Sequence, residues 1–136
     1  MYTIKQVATI EGLSTYTVRF YHEEGLLPHV QRDKNNNRIF SEEDLRWLHF
    51  IKCLRNMGMP LAQVKIYIDL CVIGDESVPE RLELLLETRQ LALAELKKIQ
   101  DEMKTLDWKI DIYQDVVKNH TEDRWNPLQT QLVPNE

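Results

Sequence analysis

Cysteine is scarce in this chain: only Cys53 and Cys71 occur, 18 residues apart. They make no CxxC pair and no His-Cys ligand cluster, so neither a zinc site nor any other metal or cofactor is expected. A disulfide is not expected in a reducing compartment. No apolar run approaches the ~18 residues of a membrane helix. The opening MYTIKQVATIEG carries charges and lacks a signal-peptide core, which points to the cytoplasm. No phosphate-cradling glycine loop, metal motif or nucleophile–base pair is visible, and His22, His29, His49 and His120 are scattered, so an enzyme is not expected. Positive charge is also short, with a net charge of −5. Taken alone, that argues against a nucleic-acid binder. The acid, however, is concentrated towards the C-terminus: residues 1–57 carry 8 Lys+Arg against 7 Asp+Glu, and the remainder 9 against 15. Local patches matter more than net charge for phosphate contact.

What is present divides the chain into helices. Thr3 and Gln6 have capping-box spacing, and Ile4, Val7 and Ala8 share one face of the helix that should follow. Gly12 breaks that helix. Ser14 can cap a second one to about Glu24, which Gly25 stops. Residues 28–40 read as a two-stranded hairpin, with Val30–Arg32 and Arg38–Phe40 as strands and Asp33–Asn37 as the turn; asparagine tolerates the left-handed backbone such turns need. Ser41 and Asp44 open a third helix with Leu45, Leu48, Ile51, Cys53, Leu54 and Met57 on its buried side. Gly58 ends it. Pro60 starts a fourth, to about Val72. Ser77 and Glu80 repeat the capping-box spacing ahead of a fifth helix that runs nearly to Lys118. The rest, from Asn119, holds Pro127 and Pro134, has no periodicity and reads as loose, with Trp125 and Leu128 available to dock.

The fifth helix carries a sustained heptad. Leu82, Leu85, Arg89, Ala92, Leu96, Ile99, Met103, Leu106, Ile110, Tyr113 and Val117 follow at alternating steps of three and four, and all but Arg89 are apolar. This is a coiled-coil pattern, about 54 Å long at 1.5 Å per residue. One chain offers no second helix of that length to cover the stripe. A second copy is the simplest cover, and an antiparallel pairing is possible; the alternative is a helix folded back on its own head. Arg89 sets register or snorkels outward.

Ala8, Gly12 and Val18 meet the needs of a helix-turn-helix: a small residue where the helices cross, a glycine at the positive-φ turn, and a branched residue to lock the crossing. The second helix is then the recognition helix. Its N-terminal half presents Thr15, Tyr16, Thr17 and Arg19, hydroxyls and a guanidinium suited to phosphate and base edges. The hairpin adds Arg32, Lys34 and Arg38, a basic edge beside it. The bland alternatives are a solvated helix face and an ordinary exposed hairpin.

The run from Tyr2 through Ala8, then Thr17-Val18-Arg19-Phe20-Tyr21, Gly25-Leu26-Leu27-Pro28, Arg38-Ile39-Phe40 and Leu54-Arg55-Asn56-Met57-Gly58-Met59-Pro60-Leu61 resembles the MerR family of bacterial transcriptional regulators over residues 2–118. The resemblance implies a mainly α protein with a winged helix-turn-helix head at residues 1–76, a dimerisation helix at 77–118 and a tail at 119–136. It implies a homodimer joined by an antiparallel coiled coil, here through Leu82, Leu85, Leu96, Ile99, Met103, Leu106 and Ile110. It implies double-stranded promoter DNA as partner, bent and untwisted in response to an effector so that RNA polymerase can engage. By position, Arg19 matches the family's recognition-helix arginine, Tyr21 a backbone-contacting tyrosine and Arg38 the wing arginine. Asn36-Asn37 stands where Gly-Tyr is common before that arginine, and Phe20 where tyrosine is common.

The effector is less defined. The family's metal sensors place cysteines at the start of the dimerisation helix and in a following loop, and neither segment here has one. The large C-terminal domain that the family's drug-binding members append is not expected here either. Phe50-Ile51-Lys52-Cys53-Leu54-Arg55 is similar to the thiol-based, aldehyde- and electrophile-responsive stress branch, which carries a cysteine at this place. Lys52 and Arg55 could stabilise a thiolate; a cysteine on an apolar helix is otherwise a small buried hydrophobe. Cys71 reads as packing. Trp108 and Tyr113 could line a small-molecule pocket or serve as core. Two other functions stay open: a regulator of the same type responding to a non-covalent small molecule, and a coiled-coil adaptor with a vestigial head.

Overall fold

The computed structural model of the chain describes residues 1–126 and 128. Pro127 and Pro134 of the tail lie outside the described residues. Two compact units are present, one of Met1–Ala92 and one beginning at Leu93. The opening turns of the last helix belong to the first unit.

The first unit is built on capped helices. Thr3 both ends strand β1 (Tyr2–Thr3) and caps α1 (Ile4–Glu11). Its hydroxyl accepts the Gln6 amide at 3.2 Å, and the Gln6 side chain accepts the Thr3 amide at 2.8 Å. Helix α1 ends at Gly12, whose φ of 66° is left-handed; the Leu13 amide then reaches back to the Ala8 carbonyl at 2.9 Å. Ser14 caps α2 (Thr15–Glu23) through the Thr17 amide at 3.0 Å. Strands β2 (Gln31–Arg32) and β3 (Arg38–Phe40) follow, and then α3 (Glu42–Asn56). Ser41 and Asp44 complete a second capping box, and Glu42, Glu43 and Asp44 place acid on the positive end of the α3 dipole. Helix α4 spans Leu61–Ile73 behind Pro60. A one-turn 3-10 helix, Asp75–Ser77, leads into α5 (Val78–Asn119).

The wing differs from the expected hairpin by one strand. Residues 2–3 pair antiparallel with β3, giving a three-stranded sheet in the order β1-β3-β2, with Tyr2 opposite Phe40 and Gln31 opposite Ile39. A two-residue strand has no readable periodicity, so only the folded partner reveals it. The turn is as expected: Asn36 takes φ 64°, and the Asp33 carboxylate accepts the amides of Asn35 and Asn37, each at 2.9 Å.

The core lies where α1, α2, α3, α4 and β3 meet. Val7, Val18, Leu26, Phe40, Leu48, Ile51, Met59 and Val64 are entirely enclosed. Two expectations are corrected here. Met57 is exposed at the α3 C-cap, and the methionine inside is Met59, carried inward once Gly58 turns the chain at φ 100°. Ser77 does not form a capping box with Glu80. Its buried hydroxyl instead lies 2.5 Å from the Leu70 carbonyl and 2.8 Å from that of Gly74, and it accepts the Arg81 Nε at 3.0 Å. This knot fastens the end of α4 to the start of α5. Leu84 and Leu85 pack against the core as well, so the expected seam residue Leu85 is partly covered within its own chain.

In the second unit, Trp125 lies edge-on to Trp108 at 5.2 Å between ring centres. Lys109 donates to the Trp125 carbonyl and sits 4.6 Å from the centre of the Tyr113 ring. Leu128 is exposed and docks on nothing described. No helix among the described residues is long and apolar enough to cross a membrane.

A Cβ at residue 12 would meet nothing within 4 Å. The cost of Gly12→Ala is therefore the left-handed backbone alone, about 1 kcal/mol. Urea unfolding at fixed protein concentration should show the midpoint lowered with an unchanged slope; no shift would mean the turn relaxes out of the left-handed region.

Candidate nucleic-acid interface

The capping of α2 by Ser14 aims the first turn of that helix outwards. Tyr16 is 72% exposed. Arg19 is exposed one turn later, with Thr15 and Thr17 half-buried beside it. The Thr17 hydroxyl also lies 2.9 Å from that of Ser14. Helix α2 is held from below by Val18 and Tyr21, both in the core. Tyr21 is thus mainly a packing residue whose ring lies 6.3 Å from that of Phe20.

The wing residues fall into two kinds. Arg32 and Lys34 are exposed, and Arg32 Nη1 donates to the Asn36 carbonyl at 3.0 Å, bracing the turn. Arg38 is only 14% exposed and lies against α2: its Nε donates to His22 Nδ1 at 2.8 Å, and its Nη2 pairs with the Glu23 carboxylate at 3.2 Å. The wing and the recognition helix are tied together by this fork. Sequence spacing alone does not reveal His22 as its partner, since the two residues are 16 positions apart.

Burial, reinforced by the neighbouring Arg38 and Arg32 guanidiniums, pushes the His22 imidazole below its ordinary value of 6.5. A neutral ring is also what the geometry requires, because Nδ1 must accept.

Cys53, on α3, is half-buried and free, as is Cys71. The cations expected beside Cys53 are engaged elsewhere. Lys52 Nζ donates to the Glu11 carbonyl at 2.8 Å and pairs with the Glu11 carboxylate at 3.2 Å, and Arg55 Nη1 donates to the Met59 carbonyl at 3.1 Å. The group that does face the thiol is His49: its Nε2 lies 3.7 Å from Sγ, while its Nδ1 lies 2.8 Å from Glu11 Oε1. No such pair is expected from the sequence. The i, i+4 spacing of His49 and Cys53 on one helix was the available signal. Cys71 borders a cavity of about 280 Å³ lined by Trp47, Phe50 and Tyr67 among others, with Arg81 Nη1 at 3.9 Å from its sulfur. Among the described residues, no three His, Cys, Asp or Glu side chains gather as metal ligands.

Of the expected seam residues, Leu82, Leu96, Ile99, Met103, Leu106 and Ile110 are substantially exposed in the single chain.

Residues 2–71 match the profile described as MerR HTH family regulatory protein. The chain is 38% identical to an HTH-type transcriptional regulator of Haemophilus influenzae over 83% of its own length and 84% of the relative's. It is 40% identical to the HTH-type transcriptional regulator AdhR of Bacillus subtilis over 64% of this chain and 62% of that one. Among solved structures it is similar to HiNmlR, a MerR family regulator lacking the sensor domain, bound to promoter DNA (TM-score 0.79, 36% identity, 88% of this chain and 91% of that one). It is also similar to a MerR family regulator from Bacillus thuringiensis (TM-score 0.73, 37% identity, 82% and 98%).

The histidine shift sets a pH dependence. A base whose folded value lies below its unfolded one binds fewer protons when folded, so its contribution is intact above 6.5 and is lost as pH falls through the lowered value. The stability difference between wild type and His22→Gln should be flat above pH 6.5 and move against the wild type below it; a difference independent of pH from 7.5 to 5 would show that the ring titrates normally.

Proposed function

The chain belongs to the MerR family of helix-turn-helix regulatory proteins, DNA-binding transcriptional regulators and not enzymes, and from that premise we propose that it works as a homodimer that distorts promoter DNA in response to a thiol-reactive electrophile. The observation that carries the DNA-binding geometry is the exposed Tyr16 and Arg19 on α2 beside the exposed Arg32 and Lys34 of a wing tied to the same helix by Arg38. Arg19 is the base- or phosphate-reading guanidinium. Thr15, Tyr16 and Thr17 supply hydroxyls, and Arg32 and Lys34 hold the flanking backbone.

The homodimer rests on α5. An apolar row of Leu96, Ile99, Met103, Leu106 and Ile110 left open on a polar helix calls for a cover of equal length. A second copy in antiparallel orientation provides it, and sets two recognition helices on one pseudo-palindromic site. Bending that site costs a few kcal/mol, offset by the phosphate contacts of two heads. RNA polymerase at the realigned promoter is the final partner. Cys53 is the proposed effector site, for an aldehyde or similar electrophile, because its thiol is free and reachable.

Arg19→Ala should weaken binding to the protein's own promoter region by about fivefold to 150-fold, from the ~1–3 kcal/mol of a good arginine–base contact. Lys34→Ala should lower the slope of log affinity against log salt by about one. Fluorescence anisotropy across a salt series measures both, and affinity indifferent to salt in the wild type would point to an adaptor instead. Ile99→Asp with Leu106→Asp should sediment as a single chain; a dimer that persists would reject the α5 seam. Cys53→Ala should abolish induction by aldehydes in a promoter fusion, and a normal response in that variant would remove Cys53 as the effector site.

A further inference from the structure

Glu11 is the last residue of α1, and its side chain is 8% exposed although acidic. Burying a carboxylate is costly unless it is paired. Burial raises its proton affinity, but the hydrogen bonds and charges of His49 and Lys52 outweigh that and hold it below the usual carboxylate value. It is therefore ionised at neutral pH. An ionised carboxylate can only accept, so His49 Nδ1 carries the hydrogen at this 2.8 Å contact. The remaining nitrogen, Nε2, is the one that faces the Cys53 thiol at 3.7 Å. A nucleophile in reach of a base, with that base oriented by a third group, is the arrangement that activates thiols and hydroxyls for covalent chemistry.

We propose that Cys53, His49 and Glu11 form a built nucleophilic site for a small electrophilic carbonyl compound, with His49 as the base and Glu11 as the positioning residue. This rests on the reading of Cys53 as the effector site, and supplies the activation that Lys52 and Arg55, both engaged elsewhere, do not. In the step, the Cys53 S–H proton passes to His49 Nε2. The sulfur lone pair forms a bond to the carbonyl carbon, and the C=O π pair moves onto oxygen. That oxygen takes the proton back from His49 Nε2. The product is a neutral hemithioacetal and a neutral imidazole, with nothing oxidised or reduced. Glu11 immediately precedes Gly12 of the helix-turn-helix, and Lys52 grips its backbone carbonyl. An adduct that displaces His49 is felt at the junction that sets the recognition helix.

The test is alkylation of the full-length protein by iodoacetamide between pH 5.5 and 9. Peptide mass spectrometry reads Cys53 and Cys71 separately in each sample. His49 is 60% exposed, so His49→Gln should fold as the wild type does. It should slow Cys53 alkylation at neutral pH by at least about tenfold and leave Cys71 unchanged. Glu11→Gln should slow Cys53 less and displace its pH profile, and Glu11→Asp should restore part of the rate; a purely structural Glu11 would leave the profile in place. Formaldehyde added as competitor should protect Cys53 more than Cys71. A His49→Gln variant alkylated at the wild-type rate and with the wild-type profile overturns the proposal. So does an equal fall at Cys71, and absence of selective formaldehyde protection overturns the carbonyl class. Retained induction in Cys53→Ala together with His49-dependent alkylation sinks the sensing reading but leaves the nucleophilic site standing.

Discussion

The close crossing of α1 and α2 over Gly12 is the constraint on which the head depends. Ala8 is small enough to let the helices approach, and Val7 and Val18 have no solvent exposure at the crossing. The left-handed Gly12 lets the chain reverse in a few residues, with the Leu13 amide satisfying the Ala8 carbonyl. Every later element is referred to this pair. Strand β3 adds Phe40, α3 adds Leu48 and Ile51, and α4 adds Val64 and Ile68 to the same core. The recognition helix is thus presented by packing rather than by its own propensity, since a nine-residue helix is too short to be stable alone.

Charge is used in two ways. Exposed charges such as Arg19 and Lys34 stay available to a partner. Enclosed ones act as fasteners, between distant segments or at a helix start. Glu11 ties the end of α1 to α3 through His49 and Lys52, and Asp44 is spent on the Ser41 cap. This division explains why a net charge of −5 is a poor guide to the binding face. Some of the head's acid is internal or caps helices, and 15 of the chain's 22 acidic residues lie after residue 57.

The helices, their caps, the Gly12 turn and the Asn36 turn were legible because each is a local rule acting within a few residues. Thr3 and Ser41 announce their helices by spacing and Ser14 by residue type, and the structure uses all three. The misses share another cause. Strand β1 forms only by pairing with residues near 40, Ser77 is claimed by a carbonyl of the preceding helix, and Met59 replaces Met57 inside because of how Gly58 redirects the chain. The candidate site shows the same split. His49 and Cys53 share a helix and could be read together, but the Glu11 that orients the imidazole lies 38 residues from it. The pattern of α5 was legible as a heptad, whereas the packing of Leu85 on the head core was not.

Arg38, expected from the sequence to contact DNA, is held in the fold as a structural side chain. Its Nε and Nη2 are committed to His22 and Glu23, and little of it is exposed. A guanidinium held on two of its nitrogens has already lost most of its rotamer freedom. A phosphate contact from the third nitrogen would incur little further ordering cost, in contrast to the long, open side chain of Lys34. The neutral state of His22 is part of that preparation, because a protonated ring would give up the acceptor and repel the arginine it now holds. The wing is therefore fastened to α2 by one preorganised side chain.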